Sequence, residues 1–433
     1  MKKAKKVLCF TLVIALMTSI AIGFTACSSN DTELTFAWWG GDGRAEQTMA
    51  IIDLFLEHSD DVDYIEGEFR SFGDHWVELS ARATANNLPD IVQQDVAHMF
   101  NWVENGLLID LTPFIRDNRI DLRNVPQTAI DAGRVTGHPG IYAVPTGMNV
   151  AALLYNATLL QELGLQASRN MTLDQFIQLS RDIYTRSGVR TNWAFNDPFN
   201  QLNTHLRANG SVLFAGGRLG GNVALYESFF AVIEQGIIEG WHIRPEHMVG
   251  REGGEQNALW YPPGDDNANF RAWNSPVWSN MLTGYMNDAP DDVVIGMTTY
   301  PSINPLLGNF GRASMFFAIS SHSELQDEAA SFISFYMNSP AVHDIVMGDR
   351  GVVVNPVIAA HIEPRLPEAA QRQIEFVDWV NSGNSSPYDP TRPGGAAELL
   401  EYLRLIIEDL TRLEITPAEA AQRLAAADVR ILG

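Results

Sequence analysis

Three polar side chains follow segments that read as β-strands, at positions where an open parallel sheet would bind a ligand. Asp42 and Arg44 lie in a glycine-rich loop after the apolar run 34–39, and Asp95 ends the apolar run 89–95. Ligands bind such sheets beyond the carboxyl ends of the strands. We therefore predict that these three side chains face a ligand. The alternatives are an exposed ion pair for Asp42 and Arg44 and a helix N-cap for Asp95.

The elements that would position these side chains alternate along the first quarter of the chain. Short apolar runs typical of strands alternate with apolar residues at helical spacing. The predicted strands are 34–39, 62–69 and 89–95, and the predicted helices are 45–58, 76–85 and 96–104. This alternation predicts an α/β fold with a mainly parallel sheet.

A bend in mid-chain is the strongest sign of how the protein is divided. The apolar runs 141–144 and 150–155 are separated by Pro-Thr-Gly-Met-Asn at 145–149, which favours two buried strands joined by a bend. A chain of 433 residues is too long for one ordinary core. We therefore predict a crossing between two packed units, with a hinge and a cleft beside it. Tyr300-Pro301 is a candidate second crossing.

Composition excludes several classes of partner. The chain is 46% apolar and 19% charged, which is typical of a globular protein. No lysine follows Lys6, so 25 arginines face 52 acidic residues in the body of the protein, a balance of −27. Such a surface repels phosphate backbones, which argues against nucleic-acid binding. Cys9 and Cys27 are the two cysteines, so the body has neither a disulfide nor a cysteine metal site.

The sequence contains no pattern typical of a metal site, a cofactor or a catalytic centre. His242 and His247 are five residues apart around Pro245, and the glycine-rich run 216–221 lacks the Lys-Ser/Thr of a phosphate loop. With 52 acidic residues, two carboxylates will lie at glycosidase spacing by chance. We therefore predict no metal, no cofactor and no enzymatic activity.

The N-terminus is a targeting segment. A run of lysines within the first six residues precedes the apolar stretch 7–24, and small residues lead to Cys27. This pattern resembles a bacterial lipoprotein signal, in which residues 1–26 are removed, Cys27 is lipidated and 27–33 form a tether. The alternative is an uncleaved N-terminal anchor, since about 18 apolar residues just span a bilayer. Both interpretations place the body outside the cytoplasmic membrane.

Four stretches together resemble a known family. They are Leu34–Arg44, Leu88–Leu111 with its PDI…D…GL…DL pattern, Gly140–Leu165 with its VP…YN…LGL pattern, and Asp349–Val352 after Asn338-Ser339-Pro340. The sequence is similar to the extracellular solute-binding proteins of bacterial carbohydrate ABC importers, the class that includes maltose-binding protein. The resemblance covers nearly all of residues 34–433.

The resemblance implies a periplasmic-binding-protein-like α/β fold with two lobes made of discontinuous segments, a hinge between them and the ligand in the cleft. We expect the N-terminal lobe to contain 34–147 and 300–348, and the C-terminal lobe to contain 148–299 and 349–433. It further implies that a monomer, anchored to the membrane through Cys27, binds a sugar and delivers it to an ABC permease. A secreted glycan-cleaving enzyme and a binding module for a sensor partner are the alternative functions.

A sugar presents C–H faces to aromatic rings and hydroxyls to polar side chains, which selects the candidate site residues. Trp38 and Trp39 are consecutive, so at most one of them can point toward a shared cleft. Near the family's aromatic platform we favour Trp278 over Trp273. For each tryptophan the alternative is a place in the core. The full predicted set is Trp38, Asp42, Arg44, Asp95, Asn149, Trp273, Trp278, Phe316 and Arg350.

Overall fold

The computed structural model describes residues 32–247, 256–260, 271–387 and 392–433. The predicted signal segment 1–26 and the predicted lipidation site Cys27 lie outside these ranges. Within them, no helix combines the length and the apolar character needed to cross a membrane.

The strands are short, and most are well buried. In chain order they are β1 (Glu33–Trp39), β2 (Tyr64–Arg70), β3 (Ile91–Gln94), β4 (Val144–Pro145), β5 (Met148–Asn156), β6 (Phe214–Ala215), β7 (Arg218–Leu219), β8 (Asn274–Trp278), β9 (Ile295–Thr298), β10 (Gly311–Ala313) and β11 (Phe316–Ile319).

Helices surround the sheets and dominate the C-terminal part. They are α1 (Asp42–Leu56), α2 (Phe72–Thr84), α3 (Val96–Glu104), α4 (Thr112–Arg116), α5 (Gln127–Asp131), α6 (Ala157–Glu162), α7 (Leu173–Ser187), α8 (Pro198–Ala208), α9 (Val223–Glu239), α10 (Leu282–Asp288), α11 (Pro305–Gly308), α12 (Gln326–Asn338), α13 (Pro340–Val346), α14 (Pro356–Ile362), α15 (Glu368–Asn381), α16 (Ala396–Thr411) and α17 (Pro417–Leu432). Single 3₁₀ turns lie at Pro245–His247, Gln256–Leu259, Ser279–Met281 and Glu363–Arg365.

The first sheet confirms the predicted α/β fold, but it is a mixed sheet and not the mainly parallel one that was predicted. Its strands lie in the order β2-β1-β3-β11-β4. Strand β1 pairs in parallel with β2 and β3, whereas β11 runs antiparallel to β3 and β4. Helices α1 and α2 connect the parallel strands, as the alternation of strand and helix patterns predicted. The carboxyl ends of β1, β2 and β3 therefore lie at one edge of this sheet.

The second sheet is built on β5. This strand pairs antiparallel with β10, β8 and β9. Side chains of a strand alternate between its faces, and here both faces are covered. Ala151 and Leu153 pack in one hydrophobic cluster, while Val150 and Ala152 pack in another on the opposite face. Burial on both faces explains why the run 150–155 within β5 is apolar and does not alternate with polar residues.

Two large hydrophobic cores lie on either side of the predicted bend. The first core gathers buried residues from 34–148 and 313–346 together with Val354, and the second gathers them from 151–310 and 396–427. The predicted bend at 145–149 is confirmed as the point where the chain leaves the first sheet and enters the second.

The return crossing differs from the predicted one. Tyr300 is buried in the second core, and β10 pairs with β5 of the second sheet, so the chain has not yet crossed at residue 300. It returns to the first sheet at β11. The stretch 313–319 is therefore divided between the two sheets. An apolar run does not reveal that its two ends belong to different sheets.

Three buried histidines make stability sensitive to acid. Burial lowers the pKa of His75, His242 and His343 to about 4, from the usual 6.5. Between about pH 6.5 and about pH 4 the unfolded chain therefore binds more protons than the folded protein, so stability falls as the pH falls through this window. Each group contributes at most about 1.4 kcal/mol per pH unit.

We expect His242→Gln to flatten this dependence. The His242 Nε2 atom is buried without a hydrogen-bond partner, so protonation there places an uncompensated charge in the interior. Urea denaturation at several pH values between 4 and 7 would measure the free energy of unfolding. The control is His58→Gln at an exposed position. Parallel pH profiles for wild type and His242→Gln would contradict the prediction.

Candidate functional site

A narrow cleft lies where the two cores meet. Its walls come from both cores: Val96, Ala132 and Phe316 from the side of the first sheet, and residues of the second core from the other side. The full lining is Val96, Ala132, Asn200, Leu213, Phe214, Trp278, Phe310, Arg312, Ala313, Phe316 and Arg392. A concave apolar site with a few polar groups is the usual form of a small-molecule binding site.

Strand pairing positions the aromatic and charged groups of the cleft. Trp278 ends β8 opposite Ala151 of β5, while Arg312 in β10 lies opposite Asn149 at the start of β5. The guanidinium carbon of Arg312 is 4.1 Å from the centroid of the Trp278 ring. The Trp278 and Phe310 rings meet edge to face at 5.9 Å. On the side of the second core, the wall of the cleft therefore consists of Phe310 packed against Trp278, with Arg312 over the ring of Trp278.

A half-buried carboxylate lies near the two arginines that line the cleft. Asp197 is the N-cap of α8, where its side chain accepts a hydrogen bond from the backbone N–H of Asn200 at 3.3 Å and another from the side-chain amide of Asn200. Burial raises the pKa of Asp197, and the hydrogen bonds of Asn200 and the charges of Arg312 and Arg392 partly oppose that rise. These hydrogen bonds to Asp197 fix the position of Asn200, which also lines the cleft.

Two of the predicted residues line the cleft, and two more lie beside it. Trp278 and Phe316 are part of its wall. Asn149 is buried behind the wall, and its carboxamide oxygen has no hydrogen-bond partner. Asp95 adjoins Val96 but caps α3, since its carboxylate accepts from the backbone N–H of Ala97 at 2.8 Å. In this structure Asp95 is therefore a helix N-cap, which was the alternative to a ligand-facing side chain.

Asp42, Arg44 and Arg350 form no part of this wall. Arg44 Nε donates to the carboxylate of Asp349 at 2.8 Å, and Asp42 is exposed at the start of α1. Arg350 is 1% exposed and donates to the hydroxyl of Thr48 at 2.6 Å. The structure thus assigns Arg350 to the packing between α1 and the segment after α13.

The predictions for Trp38 and Trp273 are corrected to core positions. Trp38 is fully buried in the first core, next to Phe36 at 5.0 Å between ring centroids. Trp273 is fully buried in the second core and donates from Nε1 to the hydroxyl of Thr191 at 2.8 Å. A side chain with no exposed surface in the cleft cannot contact a ligand there, and the hydrogen bond of Trp273 satisfies its polar atom internally.

Sequence reasoning missed Asn200, Phe310, Arg312 and Arg392. The signal for Asn200 was present, because Asp197-Pro198 is a typical helix start that places Asn200 in its first turn. Arg312 stands just before the apolar run 313–319, where it reads as a loop residue. Its place beside Trp278 depends on the pairing of β10 with β5, which the sequence does not reveal.

Three chain segments lie side by side close to the cleft. The backbone N–H of Ser314 donates to the carbonyl of Gly147 at 2.9 Å. Met148 and Val352 exchange backbone hydrogen bonds of 2.7 and 3.0 Å. A Cβ on Gly147 would lie 2.2 Å from the carbonyl oxygen of Arg350, so only glycine permits this close approach. These are the places where the chain passes between the two cores.

A wider depression adjoins the cleft, sharing Ala132 with it. It is lined by residues 128–138 on one side and 381–387 on the other. Within the described ranges, no group of three His, Cys, Asp or Glu residues is placed to hold a metal ion.

The α/β fold with a cleft between two cores is that of the periplasmic solute-binding proteins. A family model described as bacterial extracellular solute-binding protein matches residues 50–371, and the chain belongs to this family.

Solved structures from three bacteria have the same fold. A family 1 extracellular solute-binding protein from Alicyclobacillus acidocaldarius is 18% identical, with a TM-score of 0.71 over 93% of this chain and 99% of that chain. A periplasmic oligogalacturonide-binding protein from Yersinia enterocolitica is 15% identical, with a TM-score of 0.74 over 93% and 99%. The GacH receptor of Streptomyces glaucescens, studied with acarbose, is 17% identical, with a TM-score of 0.68 over 93% and 98%. At these identities the likeness shows the fold alone.

Proposed function

We propose that this protein binds a carbohydrate outside the cytoplasmic membrane and delivers it to the permease of an ABC importer. The observation that carries the proposal is the cleft between the two cores, with Trp278, Phe310 and Phe316 as its aromatic surfaces. Membership of the extracellular solute-binding family and the sugar-binding structures of the same fold support it.

The side chains of the cleft suit the two kinds of surface that a sugar presents. Aromatic rings pack against the C–H faces of a pyranose ring, and Asn200 and Arg312 supply fixed hydrogen-bonding groups for its hydroxyls. A micromolar dissociation constant requires about −8 kcal/mol, which one ring contact and several such hydrogen bonds can together supply. The adjoining depression gives room for further sugar units, which favours an oligosaccharide.

Binding in this cleft is expected to couple to closure. We assign residues 34–147 and 316–348 to one lobe and 148–313 with 349–433 to the other, with the crossing segments around Gly147, Ser314 and Gly351 as the hinge. A ligand that touches both walls binds the closed form better than the open one. This difference in affinity shifts the population toward the closed form.

The test is a calorimetric screen of the purified protein against neutral and acidic mono- and oligosaccharides. We expect at least one oligosaccharide to bind with a micromolar or lower dissociation constant and to be recovered intact by chromatography, since binding alone requires no acid or base. A screen in which no sugar binds would refute the carbohydrate proposal. Shorter products that appear with time would instead favour a glycan-cleaving enzyme.

Anchoring provides an independent prediction. If Cys27 is lipidated, Cys27→Ala should either release the protein from membranes or leave its precursor uncleaved. One acyl chain binds membranes only marginally, so stable retention requires the several chains that a lipoprotein carries. Membrane fractionation and mass spectrometry of the N-terminus would measure this, with Cys9→Ala as the matched control inside the apolar stretch. A correctly processed, membrane-bound Cys27→Ala protein would contradict the assignment.

A further inference from the structure

Aromatic rings gather at the edge of the first sheet where its parallel strands end. Trp39 is the last residue of β1, Phe72 is the first residue of α2 just after β2, and His98 lies in the first turn of α3 just after β3. These strands are neighbours in the sheet, and ligands of open α/β sheets bind beyond the carboxyl ends of such strands. Three separate segments therefore bring an aromatic ring to the edge where a ligand is expected.

The ring of Phe72 packs against this cluster and is its exposed member. Its centroid lies 5.4 Å from that of Trp39, 5.9 Å from that of Trp76 and 6.3 Å from that of His98. Trp76 and His98 stack in parallel, with 3.7 Å between their ring centroids. These three rings are buried or half-buried, whereas Phe72 is 49% exposed. We call the four side chains the aromatic platform.

The exposed ring is supported by three others and does not stack on any of them. The plane of Phe72 meets the planes of its three neighbours at 86°, 79° and 67°, so among the described residues none of these contacts is a parallel stack. Burial lowers the pKa of His98, partly opposed by the charge of Asp95, so this supporting ring is uncharged at neutral pH. A single exposed phenylalanine needs no explanation, but one packed against three rings has little side-chain entropy left to lose on binding.

The platform borders the cleft. Val96, the first residue of α3, lines the cleft, and His98 of the platform follows two residues later in the same turn. Phe316, another lining residue, lies opposite Gln94, the last residue of β3. The cleft wall on the side of the first sheet and the platform are thus attached to the same strand end. A ligand too long for the narrow cleft has the platform next to it.

Polar groups beside Phe72 suit the hydroxyls of a sugar. Ser71 and Asp74 are exposed, and the hydroxyl of Ser71 donates to the carboxylate of Asp74 at 2.6 Å. A pyranose ring packs its C–H face on an aromatic ring and directs its hydroxyls to the rim, where such groups bind them. One exposed ring with a polar border matches a single sugar unit, whereas a stable protein contact buries about 800 Å² on each partner.

We propose that the aromatic platform is a second carbohydrate-binding surface, on which one sugar ring of an oligosaccharide stacks against Phe72 while other units occupy the cleft. This inference rests on the proposed function and specifies its ligand as a saccharide long enough to contact both surfaces. A short saccharide held in the cleft does not reach Phe72. Affinity should therefore rise in one step, at the chain length whose last unit reaches the platform.

The experiment measures how affinity depends on chain length. Maltooligosaccharides, cellooligosaccharides, xylooligosaccharides and oligogalacturonides of increasing length are titrated into the wild-type protein and into Phe72→Ala by calorimetry. In the wild type we expect one added unit to tighten binding about tenfold, as one well-placed aromatic contact does. In Phe72→Ala that step should disappear, while the shorter members of the same series bind both proteins equally.

Two further variants show whether the aromatic face of Phe72 is responsible. Phe69→Ala is the matched control, because Phe69 is 43% exposed in β2 but stacks on Trp38, with 6.2 Å between the ring centroids. This variant should keep the length step. Phe72→Leu keeps apolar bulk but has no flat ring, so it should lose most of the step. It also decides the question should Phe72→Ala fail to fold.

The outcomes separate the platform from the cleft. The same length step in Phe72→Ala as in the wild type would overturn the inference, and so would a wild-type series that shows no step. A step lost equally in Phe69→Ala would also overturn it, since the effect would not be specific to the platform. Each of these results leaves the proposed function intact, because a saccharide still binds. If no saccharide binds the wild-type protein, both fall.

Discussion

Replacement of Trp278 by alanine is expected to weaken sugar binding about thirtyfold and to abolish the closure that binding produces. Trp278 provides the largest aromatic surface of the cleft, and Arg312 is stacked on it. Truncation of a central aromatic residue in a binding site typically costs about 2 kcal/mol, which corresponds to roughly thirtyfold in the dissociation constant. Small-angle scattering with and without sugar would report closure as a smaller radius of gyration.

The control for this experiment is Trp379→Ala. Trp379 is also partly exposed but packs in a different hydrophobic cluster, against Phe376 at 6.3 Å between ring centroids. This variant should bind the sugar and contract like the wild type. The proposed clamp would be wrong if Trp278→Ala bound with unchanged affinity. It would also be wrong if the wild-type protein bound its sugar without contracting.

The second large effect is expected at Gly147, where two chain crossings touch. An alanine there would place its Cβ 2.2 Å from the carbonyl oxygen of Arg350 and 2.9 Å from the hydroxyl of Ser314. The backbone segments would have to separate, and the hydrogen bond between Ser314 and Gly147 would weaken. Such overpacking typically costs about 1–3 kcal/mol. Chemical denaturation of Gly147→Ala should therefore show a clearly lower midpoint.

Gly284 provides the matched control for the glycine substitution. It lies in α10, and a Cβ built there meets no atom within 4 Å. Because alanine is a better helix former than glycine, Gly284→Ala should leave stability unchanged or raise it by up to about 1 kcal/mol. If Gly147→Ala unfolded at the same denaturant concentration as the wild type, the crossing segments would be looser than the structure indicates.

The fold of the first quarter of the chain could be predicted because its signals are local. The predicted helix at 96–104 agrees with α3 as observed, and the predicted strand at 34–39 agrees with β1 to within one residue. Hydrophobic periodicity and helix-capping residues extend over a few positions, so the strands and helices that they define can be predicted from a single sequence. The bend at 145–149 was predictable for the same reason, since proline and glycine interrupt both kinds of period.

The cleft itself was only partly predictable. Trp278 and Phe316 were expected in it and line it, whereas Trp38 and Trp273 are buried in the cores. The local sequence around a tryptophan at the end of a strand does not show whether its side chain faces a core or a cleft. Its environment depends on the helices that cover each face of the sheet, and these come from distant parts of the chain.

By itself, the sequence determined the class of protein: an α/β chain with a central bend and an acidic body without lysine. It also predicts an N-terminal targeting segment. Each of these properties is read from composition or from residues that are neighbours in the chain. Only the tertiary structure decided where the chain returns to the first sheet and which side chains meet at the cleft. Arg312 reaches Trp278 because β10 and β8 both pair with β5, and Phe316 faces them because the chain changes sheets after Ala313. Pairing between segments that are far apart in sequence creates this site, so no local sequence pattern could have predicted it.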